Sequence, residues 1–142
     1  MPLMACFQVI KIQRPDIGGN ALAKILIIED DKEVREYLES VLSRAGYECL
    51  SAVNGKEGVE LFLSDPSDLV ITDIIMPEKD GIETIMDLRR KNSDLKVIAI
   101  SGGGRAEPEN YLHSAKLLGA NRTMKKPFTN EEMLEAIRSL LD

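Results

Sequence analysis

Three stretches of this chain are apolar at nearly every position and then stop abruptly on a polar or acidic residue. Lys24-Ile25-Leu26-Ile27-Ile28 stops at Glu29-Asp30-Asp31. Residues 68–72 stop at Asp73, and Lys96-Val97-Ile98-Ala99-Ile100 stops at Ser101. A run that is apolar throughout, rather than at every second position, suits a strand covered on both faces. Two weaker stretches, residues 47–53 and residues 120–124, read the same way, the second ending near Lys125-Lys126-Pro127.

Helical patterns separate these runs. Val34, Tyr37, Leu38, Val41, Leu42 and Ala45 recur every three or four positions, and Gly46 follows as a stop. Asn54, with Glu57 three residues later, marks a second helix start. A third pattern covers Gly81–Lys91, and a fourth lies around residues 109–118. The last starts from Thr129 as N-cap, with Glu132 at the capping-box position, and carries Met133, Leu134, Ile137, Leu140 and Leu141 on its apolar side. Five strands alternating with five helices predict an α/β domain with a parallel sheet covered on both faces. The predicted domain spans residues 23–142. Residues 1–22 are turn-rich around Arg14-Pro15-Asp16-Ile17-Gly18-Gly19-Asn20 and read as an N-terminal arm.

Composition narrows the function classes. The 142 residues suit one domain. Asp and Glu number 24 against 18 Lys and Arg, a net charge of −6, which gives no general attraction for phosphate backbones. Cys6 and Cys49 make no disulfide framework, and the single His113 cannot build a usual zinc site. His113 reads as a surface residue, and Cys49 as a small buried hydrophobe. No run approaches a membrane span, and no secretory signal is evident, so a cytoplasmic protein is expected.

In open α/β sheets the ligand lies beyond the carboxyl ends of the strands. Those ends gather Glu29, Asp30, Asp31, Asp73, Ser101 and Lys126. Clustered carboxylates repel unless a cation intervenes. Oxygen donors without imidazole or thiolate select a hard cation such as Mg²⁺, which keeps places for water and phosphate. A lysine and a hydroxyl opposite would hold phosphoryl oxygens. The arrangement suits receipt of a phosphoryl group on a carboxylate. Gly102-Gly103-Gly104 lacks a following Gly-Lys-Ser/Thr, so it is not a P-loop but a flexible loop beside Ser101.

Asp30, Asp73, Ser101 and Lys126 follow one another at intervals of 43, 28 and 25 residues, each one helix plus one strand or more. With that order, the chain from Ala23 onward resembles the CheY-like receiver domains of two-component response regulators. The resemblance implies a flavodoxin-like, doubly wound, five-stranded sheet in the order 2-1-3-4-5. It implies that Asp73, in Ile71-Thr72-Asp73-Ile74-Ile75-Met76-Pro77, is the phosphoacceptor. Glu29 and Asp30 would hold Mg²⁺, completed by Asp73 and the backbone carbonyl of Ile75. Ser101 would be the switch hydroxyl, and Lys126, before Pro127-Phe128, the lysine that pairs with phosphate. A cis Lys126–Pro127 bond is also implied. Asp31, the third consecutive acid, is then the helix cap. Two positions depart from the family's usual pattern. Thr123 stands where an aromatic switch residue is common, and Ile75 offers no group to orient a hydrolytic water, which predicts a long-lived phosphoryl form.

The implied partners are a sensor histidine kinase or a histidine phosphotransfer protein upstream and a target protein downstream. With the last predicted helix reaching the end of the sequence, a stand-alone switch without direct nucleic-acid contact is expected. A phosphorelay shuttle and a constitutive pseudo-receiver are alternative outputs. A phosphatase using Asp73 as nucleophile would want a second acid at position 75, where Ile stands. A flavodoxin-like cofactor protein would set its phosphate against three carboxylates.

Overall fold

The computed structural model describes residues 23–74, 81–101, 113, 115–116 and 119–141. Its strands are β1 (Lys24–Ile28), β2 (Glu48–Ala52), β3 (Leu69–Asp73), β4 (Lys96–Ser101) and β5 (Arg122–Lys125). Its helices are α1 (Lys32–Arg44), α2 (Gly55–Ser64), α3 (Gly81–Lys91) and α4 (Asn130–Leu141). The strands form one parallel sheet in the order β2-β1-β3-β4-β5. The order expected from the resemblance is thus the order observed.

The continuous apolar runs have a direct explanation. Side chains alternate faces along a strand, and here both faces are covered. Leu26, Ile28, Val70, Val97 and Ala99 face Phe62, Ile85 and Leu88 of α2 and α3. Ile25, Ile27, Leu69, Ile71, Ile98 and Ile100 face Leu38, Leu42, Met133 and Ile137 of α1 and α4. All five residues of β1 and of β3 are buried.

The helix boundaries follow the expected chemistry. Asp31 caps α1, accepting from the N–H groups of Glu33 and Val34, and Gly46, at φ 97°, closes it in the left-handed region that glycine enters without strain. Asn54 accepts from the Glu57 N–H at 2.8 Å. Thr129 and Glu132 form a reciprocal capping box, each side chain accepting from the other's N–H at 3.0 and 2.9 Å.

The expected count of five helices meets four complete ones among the described residues. The missing pattern, around residues 109–118, falls largely outside them, although His113, Ala115 and Lys116 are helical and Ala115 is buried. The weaker strands are shorter or shifted: residues 47–53 narrow to Glu48–Ala52, and residues 120–124 move to Arg122–Lys125. These are the two edge strands, paired on one side only, so fewer contacts fix their ends. The N-terminal arm, residues 1–22, lies outside the described residues.

Two polar clusters at the amino ends of the strands escaped the sequence reading. Lys24 looks like the start of an apolar run, yet it is 1% exposed and its ammonium lies 2.6 Å from Asp65 Oδ1. Arg89 of α3 donates to the carbonyls of Gly119 and Ser93, at 3.2 and 3.3 Å, and to Asn121 Oδ1 at 2.7 Å. It ties the end of α3 to the approach of β5.

Candidate functional site

Parallel pairing brings the carboxyl ends of the strands to one edge. Ile28 pairs with Thr72, so the next residues, Glu29 and Asp73, leave β1 and β3 side by side. Asp73 pairs with Ile100, which sets Ser101 one step further along β4. Ser101 pairs with Lys125, and the Lys126 N–H donates to the Ser101 carbonyl at 2.9 Å. Lys126 therefore starts two strands from Asp73 and three from Glu29, and only a long side chain can reach back. It does: its Nζ lies 3.2 Å from Glu29 Oε1 and 3.6 Å from Asp73 Oδ2.

Glu29, Asp30 and Asp73 each offer a carboxylate oxygen, all within 4.8 Å of one another. Glu29 is 1% and Asp73 6% exposed, whereas Asp30 is open to solvent. Asp73 is held at both ends of its peptide. Its Oδ1 accepts from the Ile74 N–H at 2.8 Å, and its carbonyl accepts from the Thr72 hydroxyl at 3.0 Å. The Ile74 N–H is shared with the Ile100 carbonyl at 2.9 Å. Gly81 packs directly beneath this peptide, and a Cβ there would lie 2.2 Å from the Asp73 carbonyl oxygen. The start of α3 needs glycine for that close approach.

The electrostatics of the cluster follow from burial and proximity. Burial, reinforced by the Asp73 charge, pushes the Glu29 carboxyl up to about 7. Burial also raises Asp73, against the pull of Lys126. For Lys126, burial works to lower the pKa, but Asp73 and Glu29 outweigh it and the net direction is upward. Lys126 is thus a firm cation facing two carboxylates that resist joint ionisation. Glu29 Oε1 is buried, and its cationic partner is the Lys126 ammonium at 3.2 Å. One lysine faces three carboxylates, which leaves negative charge over at the strand ends. The all-oxygen donor set fits a hard divalent cation.

The structure brings Glu29, Asp30, Asp73 and Lys126 together, and it buries Ser101 at the same edge of the sheet. The Ile75 carbonyl and Gly102-Gly103-Gly104 lie outside the described residues. Asp31 is the cap and is not a member of the cluster. Lys125, the neighbour of the site lysine, is exposed. Lys126–Pro127 is cis. Thr123 is half-buried and lines an open groove of about 380 Å³ with Met124, Phe128 and Glu132 among its walls. Cys49 is half-buried rather than fully buried, and burial pushes its thiol up to about 11. His113 is exposed. Sequence reasoning missed Arg35, whose guanidinium donates to the Glu29 carbonyl at 2.9 Å. A cation one turn after the acidic run was the available signal.

Known proteins resemble this chain in sequence and fold. Residues 25–138 match the response regulator receiver domain family. The response regulator MprA of Mycolicibacterium vanbaalenii is 36% identical over 118 residues, 83% of this chain and 50% of its own length. The transcriptional regulatory protein YrkP of Bacillus subtilis is 38% identical over 110 residues, 78% of this chain and 46% of its own. The chain thus spans about half the length of the curated relatives it matches. Among solved structures, a response regulator receiver domain protein from Clostridium thermocellum superposes with a TM-score of 0.79 at 29% identity, covering 84% of this chain and 94% of that one. The chemotaxis protein CheY4 of Vibrio cholerae gives a TM-score of 0.77 at 27% identity, covering 85% and 100%. Among the described residues no helix is long and apolar enough to cross a membrane.

Proposed function

This chain belongs to the response regulator receiver family, and we propose that it is a phosphoacceptor switch in which Asp73 takes a phosphoryl group from a phosphohistidine. The observation that carries this reading is the cluster itself. Three carboxylates converge at the strand ends, and one lysine spans two of them. The donor class we infer from the receiver family is a sensor histidine kinase or a histidine phosphotransfer protein.

Each residue has a task. An Asp73 carboxylate oxygen forms the new O–P bond as the P–N bond of the donor breaks, and the electron pair of that bond leaves with the imidazole nitrogen. The Ile74 N–H at 2.8 Å holds Asp73 Oδ1 and so fixes the plane of the nucleophile. Lys126 sits where it can pass from carboxylate to phosphoryl oxygen as charge arrives on Asp73. The Ser101 hydroxyl, on the adjacent strand, donates to another phosphoryl oxygen. Glu29, Asp30 and Asp73, joined by the Ile75 carbonyl, would hold Mg²⁺, which supplies positive charge to the acceptor and to the incoming phosphoryl oxygens. The domain catalyses only its own phosphorylation and dephosphorylation.

The phosphorylated state changes the affinity of this domain for a target protein, because engagement of Ser101 and Lys126 favours one of two conformations. The relatives named as transcriptional regulators favour one particular output, control of transcription through a partner domain or protein. Residues 1–22 are an arm outside the receiver unit, and the protein works in the cytoplasm. The test is incubation with acetyl phosphate, with and without Mg²⁺, read by intact mass. The expected result is one added phosphoryl group that needs Mg²⁺ and is absent in Asp73→Asn. Folded protein that gains no phosphoryl group from acetyl phosphate or from any histidine kinase would overturn the reading.

A further inference from the structure

The turn between β1 and α1 must aim two consecutive carboxylates at one point while sending a third acid elsewhere. A flexible turn would scatter them. Several bonds prevent that. The Glu29 N–H donates to the Ala52 carbonyl at 3.1 Å, which fixes the exit of β1. The Asp31 N–H donates to Glu29 Oε2, also at 3.1 Å, and the Asp31 side chain is spent on capping α1. These bonds hold the two ends of the turn, Glu29 and Asp31. The peptide between them, which carries Asp30, is held from another direction.

Arg35 supplies that hold. It lies one helical turn after Asp31, and its own N–H donates to the Asp31 carbonyl at 2.9 Å. Its side chain folds back along the helix. Nη1 donates to the Glu29 carbonyl at 2.9 Å and stands 3.5 Å from the Asp30 carbonyl. One guanidinium therefore spans the backbone carbonyls of both acidic residues. We propose that Arg35 is a positioning residue for the acidic pair: by pinning the Glu29 and Asp30 peptides it sets the affinity of the site for a divalent cation. This rests on the function proposed above.

Two effects of Arg35 oppose each other. Its positive charge repels a bound cation through space, and its hydrogen bonds order the ligands that attract one. Arg35 is only half-buried, so water and salt screen the repulsion. The hydrogen bonds are direct and charge-assisted. Groups that orient metal ligands in this way typically govern affinity by about tenfold or more. Ordering wins, and loss of Arg35 weakens cation binding.

The test is Mg²⁺ titration by calorimetry on the wild type, Arg35→Met and Arg35→Lys. Met keeps the aliphatic stem without donors; Lys keeps the charge but places its donors on one nitrogen. Arg35→Met should bind Mg²⁺ about tenfold more weakly, and Arg35→Lys should fall between it and the wild type. Amide exchange in metal-free protein gives a second readout, in which the Asp31 N–H should exchange faster in Arg35→Met. The thermal midpoint in EDTA confirms that each variant is folded, and Arg35→Lys alone carries the comparison if Arg35→Met is not. Equal or tighter Mg²⁺ binding by a folded variant would overturn the inference, tighter binding meaning that Arg35 acts as a repelling charge. A wild type that binds no Mg²⁺ would instead overturn the function on which the inference rests.

Discussion

Replacing Glu29 by Gln should stabilise the metal-free protein at alkaline pH, although it removes a partner of Lys126. Glu29 is 1% exposed, and its carboxyl sits near 7 rather than at the ordinary 4.5, because it is buried and because Asp73 is adjacent. In the unfolded chain the same group ionises near its ordinary value. Below about pH 4.5 both states are protonated and the native state bears no penalty. Between about 4.5 and 7 the unfolded state gains from ionisation and the native state does not, so stability falls as pH rises. Above 7 the loss is constant. Each pKa unit corresponds to ~1.4 kcal/mol, so the full loss is on the order of 3 kcal/mol. Gln cannot ionise and escapes it. The assay is urea unfolding in EDTA across the acid-to-alkaline range. The variant should exceed the wild type at pH 8 by about 2–3 kcal/mol, and the gap should close towards pH 4.5. Saturating Mg²⁺ should narrow or reverse the gap, since a cation stabilises only the chain that binds it well. A variant no more stable than the wild type at pH 8 in EDTA would refute the reasoning.

Lys24→Met should cost roughly 3–5 kcal/mol in urea unfolding, because it strips the buried Asp65 carboxylate of the ammonium 2.6 Å away; a change near zero would mean that water reaches that carboxylate. Gly81→Ala should cost about 1–3 kcal/mol and slow phosphorylation by acetyl phosphate as well, since the new Cβ would fall 2.2 Å from the Asp73 carbonyl oxygen. Unchanged stability and rate in that variant would contradict the close packing of α3 against the Asp73 peptide.

Much of the fold was legible because burial on both faces leaves an unmistakable mark. β1 and β3 sit at the centre of the sheet, and their apolar runs were read to within one residue of the observed strands. The edge strands β2 and β5 were blurred, because a strand paired on one side tolerates polar residues. The Asp31, Asn54 and Thr129 caps were legible because capping is local chemistry between residues two or three apart. Strand exits gathered Glu29, Asp30, Asp31, Asp73, Ser101 and Lys126 at one edge, and the resemblance to receiver domains set Asp31 apart as the cap. What the sequence hid were polar side chains that act at a distance. Lys24 is indistinguishable from a strand-flanking surface lysine until Asp65, 41 positions away, is seen beside it. Arg35 looks like any cation on an exposed helix face until its side chain is seen turned back onto the Glu29 carbonyl.

The central claim is that the phosphoryl group arrives on Asp73 and nowhere else. The most direct measurement is to phosphorylate the protein in Mg²⁺, reduce the acyl phosphate with borohydride, and locate the product by peptide mass. Reduction converts a phosphorylated aspartate to homoserine. The account predicts homoserine at position 73 alone. Homoserine at position 30, the corresponding reduced product at Glu29, or phosphate surviving reduction on Ser101 or His113 would contradict it.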